Sequence, residues 1–284
     1  MKVVSARSLQ EALSALRDAG PDARILAGGT DLMVEMESGR TRPTEIVDVW
    51  RVDALRGIRE TGAGIEVGAL STCDDLIRSA VVQREADVLV EAARTVGAVQ
   101  IRQRATIGGN LGTASPAADL NPVLFALGAR VRLASLRGER ELPVEEFVLG
   151  YRATARARDE LLTTVLLPRR PACERRSFRK VGTRRAQSIS KVVVSSAIAL
   201  APGRVVAARL AAGSVADRTI LFEGLARELV GRAPPAPAAI ADLCRRHVDA
   251  TAAPRDDVRS TARYRRFVLS GVLTQMLQHA TSAG

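Results

Sequence analysis

The spacing of apolar positions divides the 284-residue chain into a succession of short helices and strands. Leu9, Ala12, Leu13 and Leu16 share one helical face, Ser8 and Glu11 form a capping box ahead of it, and Gly20-Pro21 ends it. A short apolar strand, Ile25-Leu26-Ala27, runs straight into Gly28-Gly29-Thr30-Asp31. Glu45 to Trp50 reads as a strand, and Gly57 to Leu70 alternates around Gly62-Ala63-Gly64 as a hairpin. Thr72 and Asp75 open a helix, and another spans about Asp87 to Val96. After a second glycine pair in Thr106-Ile107-Gly108-Gly109-Asn110, Asp119 to Leu127 reads as a helix with Pro122 in its first turn. Val131 to Leu142 is a hairpin turning at Arg137-Gly138, and Leu161 to Leu167 is an apolar strand closed by Pro168 and Pro171. That proline pair is the expected domain boundary. Beyond it, Phe178 to Val181, Lys191 to Leu200 and Val205 to Ala212 read as three strands. Helices follow from about Ile220, Ala238 and Val258, with Pro234-Pro235-Ala236-Pro237 linking the first two. Strands followed by segregated helices predict an α+β second domain.

Composition narrows the class. With 46% hydrophobic and 26% charged residues the chain is globular and long enough for two domains. No apolar run reaches the ~18–20 residues of a membrane span, and no apolar segment of signal-peptide length follows Lys2. Cys73, Cys173 and Cys244 stand far apart, which excludes a local zinc or iron–sulfur motif and predicts reduced thiols in the cytoplasm. The net charge of +11 comes almost wholly from arginine, since Lys2, Lys180 and Lys191 are the only lysines. The arginines are scattered among acids, as in Arg137-Gly138-Glu139-Arg140-Glu141, with few aromatics between them. This predicts a solvated surface or one that docks on acidic partner subunits, not a nucleic-acid site.

The candidate chemistry lies in the two glycine pairs. Gly28-Gly29 and Gly108-Gly109 each follow an apolar segment and precede a small polar residue. Such pairs adopt positive φ and leave N–H groups open to an anion, with Thr30, Thr106, Asn110 and Thr113 adding donors. Two loops of this kind can hold a pyrophosphate from both sides; each is equally readable as a tight turn. Dinucleotide, Walker and Gly-x-Ser-x-Gly fingerprints are absent, and His247 and His279 read as surface or packed helix positions. Asp74-Asp75 and Asp256-Asp257 read as helix caps. Asp119 is either a hydroxyl acceptor or a first-turn acid, and Lys180 either a cation at the domain junction or a solvated strand lysine.

Longer stretches carry a resemblance. Ile25-Leu26-Ala27-Gly28-Gly29-Thr30-Asp31-Leu32 resembles the first FAD-binding loop of the flavoprotein subunits of molybdenum hydroxylases, the xanthine dehydrogenase and carbon monoxide dehydrogenase medium-chain family. The segment from Ile101 to Val123 resembles the second loop. Phe178-Arg179-Lys180-Val181-Gly182-Thr183-Arg184-Arg185-Ala186-Gln187 and Asp256 to Arg265 resemble the family's C-terminal domain signatures.

The resemblance implies a two-part FAD-binding domain of the vanillyl-alcohol-oxidase (PCMH) type over residues 1–170, with sub-parts of about 1–56 and 57–170. A smaller α+β domain with a three-stranded antiparallel sheet and helices would follow over 174–284. It further implies that Leu26, Ala27, Gly28, Gly29, Thr30, Asp31 and Leu32, with Thr106, Ile107, Gly108, Gly109 and Asn110, hold the FAD pyrophosphate. Thr113 and Asp119 would meet ribityl or ribose hydroxyls or a nearby phosphate. Leu162 and Lys180 would lie near the flavin ring, with Ile189 against its face. The matching segments contain no aromatic residue to stack on the ring.

By the same resemblance FAD is noncovalent, and molybdopterin and the paired [2Fe–2S] clusters sit on a large and a small partner subunit, in a dimer of heterotrimers. The lack of cysteine clusters fits that division and gives this chain no metal site and no catalytic residue of its own. A four-cysteine insertion for a [4Fe–4S] cluster is also missing. Electrons would pass from the clusters through FAD to NAD, a quinone or oxygen. The Thr113-to-Pro116 and Asp119-to-Val123 stretches favour a xanthine dehydrogenase type; a carbon monoxide, N-heterocycle or aldehyde dehydrogenase is the alternative. A free-standing FAD oxidase of the same fold is a rival enzyme reading, and a non-redox basic scaffold or nucleic-acid-binding protein is the alternative of another class.

Overall fold

A computed structural model describes residues 1–184 and 187–281. Arg185 and Ala186 of the second-domain signature, and residues 282–284 of the expected second domain, lie outside the described residues.

The first unit is a parallel three-stranded sheet. It is built from β1 (Lys2–Ser5), α1 (Leu9–Asp18), β2 (Arg24–Leu26), α2 (Leu32–Glu37) and β3 (Glu45–Asp48), in strand order β1-β3-β2. Parallel neighbours require crossovers, which α1 and α2 supply. Ser8 caps α1 by accepting the Glu11 N–H at 3.2 Å, while Glu11 reaches back to the Arg7 N–H at 2.8 Å. Ala12, Leu13 and Leu16 bury the apolar face against Val47, Val49 and Leu55.

The second unit centres on an antiparallel sheet of order β4-β5-β10-β6-β7. Its elements are β4 (Ile58–Thr61), β5 (Gly64–Gly68), α3 (Cys73–Arg78), α4 (Ala80–Glu85), α5 (Asp87–Thr95), α6 (Val99–Arg102), α7 (Ile107–Thr113), α8 (Asn121–Ala126), β6 (Arg130–Ser135) and β7 (Gly138–Pro143). There follow α9 (Val144–Phe147), a small hairpin of β8 (Val148–Gly150) and β9 (Ala153–Thr154), and β10 (Leu161–Pro168). The helical layer and the sheet share one core, with Leu89, Leu111, Leu124, Phe125 and Val165 at its centre.

The third unit comprises β11 (Glu174–Val181), β12 (Val192–Ala201), β13 (Arg204–Gly213), β14 (Ile220–Leu221), α10 (Glu223–Leu229), α11 (Pro237–Thr251) and α12 (Ala262–Thr281). To the three expected strands the structure adds a fourth, since Ile220–Leu221 pairs with β13 before the chain turns into α10. The apolar run in β12 follows from its position. Val192, Val194 and Ile198 face α10–α12, and the opposite face meets α8. A strand covered on both sides reads as continuously apolar.

Arginines tie these layers together. Arg176 donates to the Glu85 carbonyl, Arg209 to the Phe125 carbonyl at 2.9 Å and to Glu145 at 2.9 Å, and Arg218 to the Val148 carbonyl at 2.9 Å. These three guanidiniums are held between layers by carbonyls and a carboxylate of the same chain. Among the described residues no helix is long and apolar enough to cross a membrane.

Candidate functional site

A cleft of about 1150 Å³ opens where the three units meet. That exceeds the ~300–1,000 Å³ usual for small-molecule sites and suits an extended dinucleotide. The two glycine pairs lie across it from one another, but they are built differently.

The first is an open loop. Gly29 sits at φ +79°, in the left-handed region, as the chain turns from β2 into α2. Among the described residues, the N–H groups of Gly28, Gly29, Thr30, Asp31 and Leu32 meet no protein acceptor. They form the row of donors that an anion needs.

The second pair is not a loop with positive φ. Thr106 is the N-cap of α7, its hydroxyl accepting the Gly109 N–H at 3.0 Å, and Gly108 and Gly109 occupy the first helical turn. The Ile107 and Gly108 N–H groups are already bonded to the Ser71 and Ala69 carbonyls at 3.0 and 2.9 Å. These glycines serve approach instead of donation. A Cβ on Gly108 would stand 2.7 Å from Ala69, and one on Gly112 would meet nothing within 4 Å because that side of α7 is open. Helical periodicity was hidden in the sequence by glycines at three of the seven α7 positions.

The two segments are locked together. A Cβ on Gly28 would fall 1.6 Å from the Arg104 carbonyl oxygen, so only glycine permits this approach. Arg104 Nε donates to the Gly28 carbonyl at 3.3 Å, and its guanidinium lies 3.7 Å from the ring centre of Trp50, the only tryptophan. Arg56 also lies over that ring, at 4.4 Å. The Thr113 hydroxyl donates to Asp31 at 3.4 Å, bridging α7 to the first loop.

At the domain junction, Lys180 Nζ lies 2.5 Å from Asp119 Oδ2 and 3.0 Å from the Thr95 carbonyl, while the Ser190 hydroxyl donates to Asp119 Oδ1 at 2.5 Å. Burial pushes the Asp119 carboxyl up, and the ammonium and the hydroxyl pull it back. Lys180 is thus not a solvated strand lysine but a cation pointing from β11 to Asp119 and the Thr95 carbonyl, and both oxygens of Asp119 are engaged. The pair fixes β11 of the third unit against the helical layer at the wall of the cleft.

The residues singled out from the sequence line this cleft, except Leu26, Ile107 and Lys180. Leu26 ends β2 and its carbonyl binds the Val49 N–H; Ile107 points into the core; Lys180 stands behind Asp119. Leu162 and Ile189 face the cleft from β10 and from the turn before β12. Sequence reasoning missed Phe147, Tyr151 and Arg152 around the β8–β9 hairpin, and Ser214 and Asp217 after β13. No spacing announces them, because they arrive from distant segments. Asp256 and Asp257, expected as caps, do bond the Ala262 and the Arg259 and Ser260 N–H groups, and they border the cleft as well. The buried thiols Cys73 and Cys244 are pushed up by desolvation to about 12 and about 11, which keeps them unreactive. The described lining contains no histidine or cysteine.

These features fit a flavin dinucleotide. A row of unused N–H donors faces a helix whose cleft side carries Gly108, Gly109 and Gly112 beside Asn110 and Thr113, and the buried Asn110 Oδ1 has no partner among the described residues. A buried acceptor of this kind calls for a donor from a ligand or water.

Comparison with known proteins agrees with this geometry. Residues 1–170 match the family model described as the FAD binding domain in molybdopterin dehydrogenase, and residues 176–280 match the carbon monoxide dehydrogenase flavoprotein C-terminal domain. The chain is 29% identical to the carbon monoxide dehydrogenase medium chain of Afipia carboxidovorans, covering 96% of this chain and 94% of that one. It is 39% identical, over 59% of its length, to subunit alpha of the 6-hydroxypseudooxynicotine dehydrogenase complex of Paenarthrobacter nicotinovorans, and spans 57% of that relative. Among solved structures, carbon monoxide dehydrogenase from Hydrogenophaga pseudoflava lacking the Mo-pyranopterin moiety matches with a TM-score of 0.94 and 28% identity, covering 99% of this chain and 96% of that one. With a cleft built from two facing glycine segments and both family models matched in order, the chain belongs to the FAD-binding medium-chain flavoproteins of the molybdenum hydroxylase family.

Proposed function

We propose that this chain is the FAD-carrying electron-transfer subunit of a multi-subunit molybdenum hydroxylase. The observation that carries the reading is the row of free N–H groups from Gly28 to Leu32 facing the glycine side of α7 across a dinucleotide-sized cleft. FAD supplies the redox chemistry when bound, accepting electrons singly or in pairs. The protein's part is to bind and orient it. The first loop donates to the pyrophosphate, Thr30, Asn110 and Thr113 add side-chain contacts, and Gly109 and Gly112 let the cofactor approach α7. Leu162 and Ile189 present apolar surface to the ring system, and the Asp119–Lys180 pair holds the second domain where Ile189 reaches it. FAD is held noncovalently.

Substrate oxidation belongs to a molybdopterin-bearing large subunit, with electrons reaching this chain through the [2Fe–2S] clusters of a small subunit. The three form a cytoplasmic heterotrimer that pairs into a dimer. The oxidised substrate is of the purine or N-heterocycle type, and NAD is the acceptor. The test begins with the isolated full chain incubated with FAD and desalted. Retention of one flavin per chain, seen in the visible spectrum, is expected; a colourless protein refutes the reading. Copurification with an iron–sulfur and a molybdenum partner separates a subunit from a free-standing oxidase.

A further inference from the structure

We propose that Arg152, at the tip of the β8–β9 hairpin, is a positioning residue that clasps the first glycine loop and neutralises the two carboxylates beside it; this rests on the flavin reading above. Its Nη1 lies 3.0 Å from Asp31 Oδ2 and 2.5 Å from Glu35 Oε1. Asp31 belongs to the loop with the free N–H donors, and Glu35 stands one turn into α2. Without a cation these two acids would repel a pyrophosphate seated on the loop. One guanidinium answers both, with the charge-assisted hydrogen bonds that hold a carboxylate in a fixed place.

The backbone shows that the position is held deliberately. Arg152 sits at φ +54° and its N–H donates at 3.1 Å to the carbonyl of Ala114, itself at φ +46° where α7 ends. Two non-glycine residues in the left-handed region, bonded to one another, persist only where surrounding contacts over-determine them. A glycine would adopt this φ without strain, so the position uses the arginine side chain. The outcome is a closed circuit at one end of the cleft. The Ala114 carbonyl holds the hairpin tip, Arg152 holds Asp31 and Glu35, and the Thr113 hydroxyl returns from Asp31 to α7.

The test uses the full chain carrying Arg152→Met, Arg152→Gly or the double change Arg152→Met with Glu35→Gln. Both single variants are expected to raise the FAD dissociation constant by about tenfold or more, as the loss of a charge-assisted contact predicts. The double variant recovers part of that loss, because it removes the unneutralised charge. A purely structural role would not produce this recovery. In flavin-free protein, hydrogen exchange at the Met33 and Glu35 amides, which donate to the Gly29 and Asp31 carbonyls, is expected to quicken in Arg152→Met. Flavin affinity within twofold of wild type, no recovery in the double variant, or unchanged exchange would each overturn the proposal. If wild type itself binds no FAD, the flavin reading fails, while the exchange measurement still decides whether Arg152 holds the loop.

Discussion

Replacing Gly28 by alanine tests the locking of the two halves of the cleft with a single methyl group. The new Cβ would lie 1.6 Å from the Arg104 carbonyl oxygen. Since carbon and oxygen approach to about 3.3 Å in ordinary contact, the loop and Arg104 must part by roughly 1.7 Å. That shift breaks the Arg104–Gly28 hydrogen bond, worth about 1 kcal/mol, and pulls Arg104 off Trp50, a cation–π contact worth about 1 kcal/mol at a half-buried site. The combined loss of about 2 kcal/mol is a loss of local stability, and because the donor row of Gly28 to Leu32 moves with the displaced loop, FAD binding weakens with it. The assay is a FAD titration read by flavin emission, alongside the emission of Trp50, whose uniqueness makes the signal unambiguous. Alanine at Gly20, where a Cβ meets nothing within 4 Å, serves as the control and should bind FAD as wild type does. If Gly28→Ala binds FAD within threefold of wild type with unshifted tryptophan emission, the close approach does not shape the site and the argument fails.

Two further outcomes follow from buried charge and from pH. Lys180→Met strands the Asp119 carboxylate, so unfolding by denaturant should reveal a loss of about 3–5 kcal/mol, with most of it restored by adding Asp119→Asn; independent additive losses would contradict the pairing. Glu160 is held below the ordinary carboxylate range by Arg140, which donates to its two oxygens at 2.6 and 2.8 Å, against the opposing effect of burial, and the Ala157 N–H adds to the lowering. A depressed carboxylate contributes stability above its unfolded pKa of about 4.3 and loses it as pH falls through the folded value. Glu160→Gln should therefore lower thermal stability at neutral pH by roughly 1 kcal/mol, a modest figure because Arg140 is half exposed. The difference from wild type should close as the pH falls below about 4; a gap that persists unchanged in acid would show that Glu160 acts through packing alone.

The arginine-rich composition takes on a definite meaning in the fold. Arg132, Arg137 and Arg140 pair with Glu141, Asp159 and Glu160, and Arg176, Arg209 and Arg218 satisfy backbone carbonyls between layers. A guanidinium suits both tasks, since its planar fork offers several donors at once.

Local rules made much of the chain legible. Ser8 with Glu11 and Thr72 with Asp75 specify helix starts through hydrogen bonds within four residues, and the hairpins at Gly62 and Arg137-Gly138 follow from alternation around a turn. The first glycine loop was equally visible, because strand, glycine pair and polar residue are consecutive. The second was visible as a motif but its conformation was not. Tertiary bonds from Ser71 and Ala69 consume its first N–H groups and draw it into a helix that glycine disfavours by itself. The roles of Asp119 and Lys180 were undecided in the sequence, since 61 residues separate two charges that burial forces together at 2.5 Å. Arg152 carried no signal at all; its role arises only where a hairpin tip meets a helix end. The sequence by itself determined the elements and the motif that names the family, because those rest on neighbours along the chain. Tertiary structure alone decided which N–H groups stay free, which charges are paired and what closes the cleft, because each depends on atoms brought together across the fold.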